Sequence, residues 1–547
     1  MRRRIGFALI VIFSLHACAA GQEVSSTSSV AVEMRIGMNL NAVQDFVPAW
    51  VFVDVFQQSR PWISHAFDVE TGQEIWGAGG DVALDEQGWP KQLREWVGAN
   101  GHTMRQRLST LMFREIGDHF PAGEYLAEWR GTGVVEWGFA AKVKRLGQTK
   151  DGRHVALLEV QPSDAGVSMK ILSLDPQDHI RDVHVWMPDV ERHTIKRRAW
   201  RPESDASPFH PLFTDRLRPF AAVRFMDWGN TNQSELSHWA KRPRISDARQ
   251  TGDNGVAVEY MIALANELDQ DAWICLPMRA DDEYVRQLAI LVRDGLRPAH
   301  RVYVEWSNEI WNYAYGFQAA RWLESEAKRR DVEMWQVAAA EVSRDFRICR
   351  EVFHGQEQRL VRVLAGQAAN PGVIQEIAQR MHGEFDAIAI APYIHLSDEQ
   401  RESFTRQTTA RDVIAAARQN LSETLEWVAN HQRLAEQYAR QLGRPIPLLA
   451  YEGGQHLDAR GQEVIYLDAL IAAQQDRRMK ELYAELLRGC EERGVELFMH
   501  YGYVQQSSRF GSWGALEYQN APLERSPKYQ ALLEAVRDNH AASAGGQ

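Results

Sequence analysis

The sequence predicts a (β/α)8 barrel, with an antiparallel β module inserted between its first and second strands. After residue 209, short apolar runs alternate with longer stretches of helical periodicity, which is the pattern of strand–helix units. Residues 63–195 instead carry short alternating runs separated by turn signals, the pattern of an antiparallel β-sandwich. A chain of 547 residues is long enough for a barrel with such an insertion.

Eight short apolar runs have the length and composition of barrel strands. The first, residues 35–41, ends in polar residues. Between the third and fourth strands, residues 282–296 have apolar positions at helical spacing, and Asp281 is a suitable N-cap. The seven later strands are predicted at residues 221–227, 273–277, 302–306, 360–365, 387–391, 448–451 and 497–500.

The division into segments follows from these patterns. The barrel would consist of residues 34–62, which hold the first strand, and of residues 196–540. The inserted β module would occupy residues 63–195, where the turn Lys150-Asp151-Gly152 separates two alternating runs.

The N-terminus has the features of an export signal. Three arginines after Met1 are followed by an apolar stretch that is too short for a transmembrane helix. The sequence Leu15-His16-Ala17-Cys18 fits a lipoprotein signal at residues 1–18, with Cys18 lipidated, and the small residues around Cys18 also fit ordinary cleavage. Residues 19–33 would form a flexible tether. We therefore expect an exported protein, lipid-anchored at the outer membrane or cell surface, periplasmic or secreted.

The composition limits the kinds of ligand, metal and partner that we expect this protein to bind. A net charge of −11 argues against nucleic acid and fits a neutral ligand. Cys275, Cys349 and Cys490 remain once Cys18 is set aside, and an odd number cannot all pair. Cys275 lies in an apolar run and is expected in the core. No Cys/His group has zinc-ligand spacing, so we predict neither a metal nor a cofactor.

Two short sequence motifs that end in glutamate indicate a catalytic site. The run from Val302 ends in Asn308-Glu309, and the run from Ile446 ends in Tyr451-Glu452 followed by two glycines. The carboxyl ends of barrel strands meet at one face, where active sites lie. Two carboxyl groups there suit glycoside hydrolysis, in which one protonates the leaving oxygen and the other attacks or assists. Each glutamate alone would be an ordinary residue at a strand end.

These motifs resemble those of the clan of retaining (β/α)8-barrel glycosidases that includes the family 5 cellulases and mannanases. The longer phrases at 225–228, 305–312 and 451–454 are similar to bacterial proteins labelled cellulose-binding or hypothetical. The resemblance covers residues 34–62 and 196–540. It implies that Glu309 is the acid/base and Glu452 the nucleophile of an enzyme that cleaves a β-linked oligo- or polysaccharide.

The resemblance also implies substrate-binding roles. It places Arg224 and Tyr393 on the nucleophile, Asn308 on a sugar hydroxyl and Trp513 beneath the reacting sugar. Further candidates at the predicted strand ends are Asp227, Trp228, Asn232, Trp311 and His395. The clan carries a histidine near the end of strand three, where this chain has Met278-Arg279. A carbohydrate-binding protein without catalytic activity, built on the same barrel, is therefore the alternative.

Overall fold

The computed structural model describes residues 33–188 and 206–545, with side chains described as far as residue 538. The predicted signal at 1–18 and almost all of the predicted tether lie outside these residues. Within the described part, no helix is both long and apolar enough to cross a membrane.

The chain enters the fold through one barrel strand and then builds two antiparallel sheets. Strand β1 (Arg35–Asn39) belongs to the barrel. The strands after β1 are β2 (Ile63–Asp68), β3 (Glu74–Ile75), β4 (Ala83–Leu84), β5 (Pro90–Gln92), β6 (Glu95–Val97), β7 (Thr103–Met112), β8 (Gly123–Arg130), β9 (Gly133–Phe139), β10 (Ala141–Gln148), β11 (His154–Val160), β12 (Val167–Leu174) and β13 (Arg181–Trp186). A four-stranded sheet has the order β10-β11-β8-β13, and a second sheet has the order β3-β2-β7-β12-β9, with β6 paired to β7.

The two sheets share one hydrophobic core, so the insertion is a β-sandwich. Tyr125 and Leu158 from the first sheet pack in the same cluster as Leu108 and Met169 from the second. The alternation of inward apolar and outward polar residues that predicted this module reflects burial of one face of each sheet.

The remaining strands close a parallel barrel in which β1 lies between β14 (Ala222–Arg224) and β22 (Val495–His500). Strands β15 (Asp271–Leu276) and β18 (Ala387–Ile390) are buried along their whole length, which explains why β18 and the part of β15 after Asp271 are continuous apolar runs. The barrel fold and its insertion between the first two strands are thus confirmed. The later strands are β14 (Ala222–Arg224), β15 (Asp271–Leu276), β16 (Val302–Trp306), β17 (Leu360–Ala365), β18 (Ala387–Ile390), β19 (Tyr393–His395), β20 (Leu448–Ala450), β21 (Gly454–His456) and β22 (Val495–His500); β19 and β21 pair outside the barrel.

Helices cover the outside of the barrel, and some of them begin at a capping side chain. As predicted, Asp281 caps α3 by accepting a hydrogen bond from the Tyr284 amide. The longest helix, α8, starts with a capping box at Thr409 and ends at Gly443, whose φ of 65° suits glycine. The helices are α1 (Pro211–Leu217), α2 (Val258–Leu268), α3 (Asp282–Gly295), α4 (Ala319–Arg330), α5 (Met334–Val352), α6 (Gly372–Ala378), α7 (Asp398–Ser403), α8 (Ala410–Leu442), α9 (Leu467–Ala473), α10 (Arg477–Glu491) and α11 (Pro527–Gly545).

The barrel has one core inside its strands and another between its strands and helices. Trp273, Tyr303 and Met499 belong to the inner core. Cys275 is also in this inner core, as the sequence predicts, and Cys349 and Cys490 are likewise buried free thiols. The inner side chains fill the barrel, so a ligand is confined to its open end.

Candidate active site

Glu309 and Glu452 both lie just past the carboxyl ends of barrel strands. Glu309 follows β16, and Glu452 follows β20. The backbone turns sharply after β16, because Ser307 and Glu309 both adopt left-handed conformations with φ of 58° and 42°. Such conformations are costly for non-glycine residues and persist only where surrounding contacts fix them. The turn directs the Glu309 carboxyl into the open end of the barrel.

Glu452 is held by a cation and a phenol. Arg224 Nη1 donates to its Oε1 at 2.9 Å, and Tyr393 Oη donates to its Oε2 at 3.0 Å. Only 5% of Glu452 is exposed to solvent, while Arg224 is fully buried. Both contacts predicted for Glu452 are therefore present, and both favour its carboxylate form.

Arg224 is the centre of a larger network. Besides Glu452, its guanidinium donates to Glu305 Oε2 from Nε and Nη2, at 3.2 and 2.8 Å. It also donates to Asn39 Oδ1 at 2.9 Å and to Asn308 Oδ1 at 2.8 Å. Glu305 and Asn39 were not predicted as site residues. Because all these partners are buried, the position of Arg224 is fixed by four side chains from three regions of the sequence.

Glu309 has neutral partners instead. Tyr451 Oη donates to its Oε1 at 3.2 Å, and Asn312 Nδ2 donates to its Oε2 at 2.6 Å. It lines an open cavity of about 370 Å³ beside Trp311 and Tyr393. The remaining lining residues are Asn312, Tyr313, Gln367, Ala368, Ala369, Ala391, His395, Trp427, Tyr451 and His456.

The two carboxyl groups perturb each other. Burial raises the pKa of Glu452 to about 8, with Arg224 opposing the rise and repulsion from Glu309 adding to it. Burial also raises the pKa of Glu309, against the hydrogen bonds from Asn312 and Tyr451. Repulsion between two nearby buried carboxylates disfavours ionisation of both at once. The Arg224 guanidinium stabilises a carboxylate at Glu452, whereas the hydrogen-bond donors that contact Glu309 are neutral.

Asn308 and Asn232 form a second layer beside Arg224. Asn308 is buried, accepts a hydrogen bond from Arg224 and donates one to Asn232 Oδ1 at 3.0 Å. Asp227 is partly buried, which raises its pKa to about 6, and its charge raises the pKa of Tyr501. Asn308, Asn232 and Asp227 thus lie at the predicted end of the barrel.

Aromatic rings surround the carboxyl groups. Trp311 lines the cavity, with its ring centroid 6.4 Å from that of Tyr451. Trp513 lies 5.9 Å from Tyr501 and 5.6 Å from His456, centroid to centroid. Trp513 therefore neighbours the cavity through His456.

Trp228 is placed differently from its prediction. It is 1% exposed and packs between Phe213 and Phe225 in the core between strands and helices. Strand β14 ends at Arg224, earlier than predicted, so Trp228 lies in the turn that follows and faces the helix layer. A buried side chain in this position gives no support to substrate contact.

Sequence reasoning missed several cavity residues, among them Trp427 and His456. Trp427 projects from the middle of α8 and stacks on His395, with ring centroids 5.1 Å apart. Its position in the helical pattern is that of any partly buried residue, so nothing in the sequence marks it as part of a cavity. His456 lies in β21, where it pairs with His395 of β19. These three-residue strands are too short for a periodic pattern to reveal.

One group in the described residues has ligand atoms close enough for a metal ion. Asp68, Glu70 and His102 of the sandwich have such atoms within 4.8 Å of one another. These atoms already serve the local turn, because Asp68 accepts hydrogen bonds from two backbone amides and contacts His102 at 2.8 Å. Glu70 accepts the Thr103 amide. We assign the group to stabilisation of this turn.

The chain has distant likenesses among solved structures. No protein-family model and no curated protein matches its sequence. It is similar to the arabinose-bound α-L-arabinofuranosidase MgGH51, with 11% identity and a TM-score of 0.44 over 92% of this chain and 80% of that one. It is also similar to the family 51 α-L-arabinofuranosidase AbfB of Bifidobacterium longum, with 11% identity and a TM-score of 0.42 over 61% and 69% of the two chains. A Bacteroides uniformis β-glucuronidase gives 12% identity and a TM-score of 0.32 over 83% and 51%. Likenesses of this size carry no conclusion about activity.

Proposed function

We propose that this protein is a retaining glycoside hydrolase that cleaves a β-linked glycan. The observation that carries the proposal is the contrast between the two carboxyl groups at the open end of the barrel. Glu452 is bound by the Arg224 cation, whereas Glu309 has only neutral donors. Two carboxyl groups whose surroundings favour opposite protonation states are suited to act as nucleophile and acid.

The reaction would proceed in two displacements. Glu452 attacks the anomeric carbon while Glu309 donates its proton to the leaving oxygen, which breaks the glycosidic bond and leaves a glycosyl ester on Glu452. Glu309, now a carboxylate, accepts a proton from water as that water attacks the same carbon and releases Glu452. Asn308, held by Arg224, is the residue that we place near the sugar hydroxyl next to that carbon.

The lining of the cavity supports a carbohydrate ligand. Trp311, Tyr313 and Trp427 present aromatic rings, and apolar sugar faces stack on such rings. Polar groups between the rings, such as Gln367 and His456, can bind hydroxyls. The acidic net charge fits a neutral glycan better than a polyanion.

Turnover of a panel of aryl glycosides and polysaccharides tests the proposal. For any substrate that is cleaved, proton NMR of the first product distinguishes retention from inversion. A 2-deoxy-2-fluoro glycoside of the same sugar should add one glycosyl mass to a peptide that contains Glu452. Inversion, or labelling elsewhere, contradicts the mechanism.

Binding without turnover would favour the alternative, a carbohydrate-binding protein. The matched comparison is Glu452→Gln, which keeps the shape of the side chain. If wild type and variant bind a glycan equally and neither releases reducing sugar, the barrel is a binding scaffold.

We further propose export and lipidation at Cys18, as the N-terminal sequence suggests. Cys18→Ala should abolish incorporation of labelled palmitate and release the protein from the membrane fraction. Equal fractionation of wild type and variant contradicts a lipid anchor.

A further inference from the structure

Glu305 is a buried carboxyl group that the two-glutamate mechanism does not use. It lies in β16, four residues before Glu309, and is 1% exposed. Its Oε2 atom accepts hydrogen bonds from Arg224 and from Trp273 Nε1, the latter at 2.9 Å, and from the Cys275 thiol at 3.5 Å. Its Oε1 atom is also buried and has no hydrogen-bond partner among the residues that the structure describes. Burying such a group is costly unless a cation compensates.

The compensating cation is the same one that binds the proposed nucleophile. Arg224 Nη2 lies 2.8 Å from Glu305 Oε2, and Nη1 lies 2.9 Å from Glu452 Oε1. All three side chains are almost entirely out of solvent, so their charges are little screened. One positive charge is therefore divided between two carboxyl groups.

We propose that Glu305 is a positioning residue that orients Arg224 toward Glu452 and offsets part of its positive charge. This inference rests on the proposed function, because it assigns Glu305 a role in the reactivity of that nucleophile. Orientation follows from geometry: Nε and Nη2 bind Glu305, which turns Nη1 toward Glu452 and Asn39. A planar guanidinium held along one edge presents its other edge in a fixed direction.

The charge argument has a definite sign. Arg224 lowers the pKa of Glu452. A carboxylate at Glu305, paired with the same guanidinium, would offset some of that effect. Without the Glu305 charge, Glu452 would lose its proton at lower pH. The other titratable groups that act on Glu452, Glu309 or Arg224 are Cys275, Tyr393, Tyr451, Tyr501, Asp227 and His456.

Glu305→Gln tests this role, because it removes the charge and keeps the shape. The acidic limb of the pH profile of kcat/KM reports ionisation of the nucleophile in the free enzyme. We expect this limb to move to lower pH by about one unit. Glu305→Asp, which keeps the charge but shortens the side chain, should keep the limb in place and lower kcat, because the guanidinium is no longer held in position.

A matched control separates this from loss of a buried ion pair in general. Arg362 and Asp386 form a two-bonded pair, with both distances 2.8 Å, and Asp386 directly precedes β18 at the far end of the barrel. Asp386→Asn should lower the melting temperature and leave the pH profile unchanged. An acidic limb at the wild-type position in folded Glu305→Gln overturns the inference.

The test also separates failure of the inference from failure of the proposed function. Wild-type protein that cleaves no glycoside contradicts the function, whereas active protein with an unmoved limb contradicts only the role of Glu305. Should Glu305→Gln not fold, carboxyl ¹³C NMR of glutamate-labelled wild type still decides. The Glu305 signal must be that of a carboxylate at pH 7, and a protonated carboxyl there overturns the proposal.

Discussion

Tyr451, the residue directly before the proposed nucleophile, donates its hydroxyl hydrogen to the proposed acid, Glu309, at 3.2 Å. The two residues are 142 positions apart in the chain. Glu452 itself accepts hydrogen bonds from Arg224 and Tyr393. Of these two neighbouring residues, one therefore binds the proposed acid and the other is the proposed nucleophile. The end of β20 therefore contributes to both halves of the proposed mechanism.

Replacing each glutamate by alanine should have distinguishable effects. Glu309→Ala should lose about 10²–10⁴-fold in kcat on substrates with poor leaving groups and much less on activated aryl glycosides, which need little protonation. Glu452→Ala should lose activity on all of them. Steady-state rates across a leaving-group series measure this. Equal losses for both leaving-group classes in Glu309→Ala would contradict its role as the acid.

Tyr393→Phe should raise the pH at which activity begins. The hydrogen bond from Tyr393 lowers the pKa of Glu452, so its removal raises that pKa and more base is needed to ionise the nucleophile. We expect the acidic limb of kcat/KM to move to higher pH by about one unit. A limb that moves to lower pH would show that Tyr393 does not stabilise the carboxylate.

Tyr451→Phe is the matched variant on the other carboxyl group. Its hydrogen bond lowers the pKa of Glu309, so its removal raises that pKa and keeps the acid protonated to higher pH. The basic limb should therefore move upward while the acidic limb moves less than in Tyr393→Phe. The same profile in both variants would mean that the two limbs do not report separate groups.

Two tryptophans should differ in what their loss affects. Trp228 is buried in the core, so Trp228→Ala should lower the free energy of unfolding by about 3–5 kcal/mol. Trp311 lines the cavity, so Trp311→Ala should raise KM by up to about 10-fold, the value of one stacking contact. Urea unfolding and steady-state kinetics measure the two effects. A raised KM in folded Trp228→Ala would restore its predicted contact with substrate.

Lys528 should make stability depend on pH. It is 3% exposed, donates to Gln474 Oε1 at 3.1 Å and to the Ser512 carbonyl, and burial lowers its pKa to about 7. The folded state therefore binds fewer protons than the unfolded state between pH 7 and the ordinary pKa of lysine. Above the ordinary pKa of lysine, Lys528 is neutral in both states and does not affect the pH dependence of stability. As pH falls from that value toward 7, the free energy of unfolding decreases by about 1.4 kcal/mol per pH unit because of this group.

Lys528→Met removes this dependence. The stability of the variant relative to wild type should be greatest at pH 7 and should decline toward pH 9.5, as measured by urea unfolding at each pH. A constant difference would mean that Lys528 is protonated in the folded protein throughout this range.

The strands of the barrel could be predicted because a strand that is buried on both faces consists mainly of consecutive apolar residues, which are visible in the local sequence. All six residues of β15 are buried, and the five that follow Asp271 form a continuous apolar run. The cap of α3 was equally local, since Asp281 lies next to the helix that it caps. Trp228 shows the limit of such reasoning. A residue can follow a strand end closely and still face the helices, because the end of β14 and the course of the turn depend on contacts made elsewhere.

The parts of the site that could not be predicted depend on distant pairings. Glu305 reads as one more residue of a strand, and only its contact with Arg224, 81 positions away, distinguishes it. Asn39 contacts residues more than 400 positions away. Their roles follow from the closing of the barrel, which no local pattern records.

The contacts of Asn39 connect the closing of the barrel with the organisation of the proposed site. Its amide group donates to the carbonyls of Tyr451 and His500, at 3.1 and 3.2 Å, while its oxygen accepts from Arg224. The first strand of the barrel therefore contacts the last through the same side-chain amide that binds Arg224. A chain that ends before β22 lacks the His500 carbonyl and therefore cannot make this junction. We therefore expect the proposed site to become organised only when the last strand has closed the barrel.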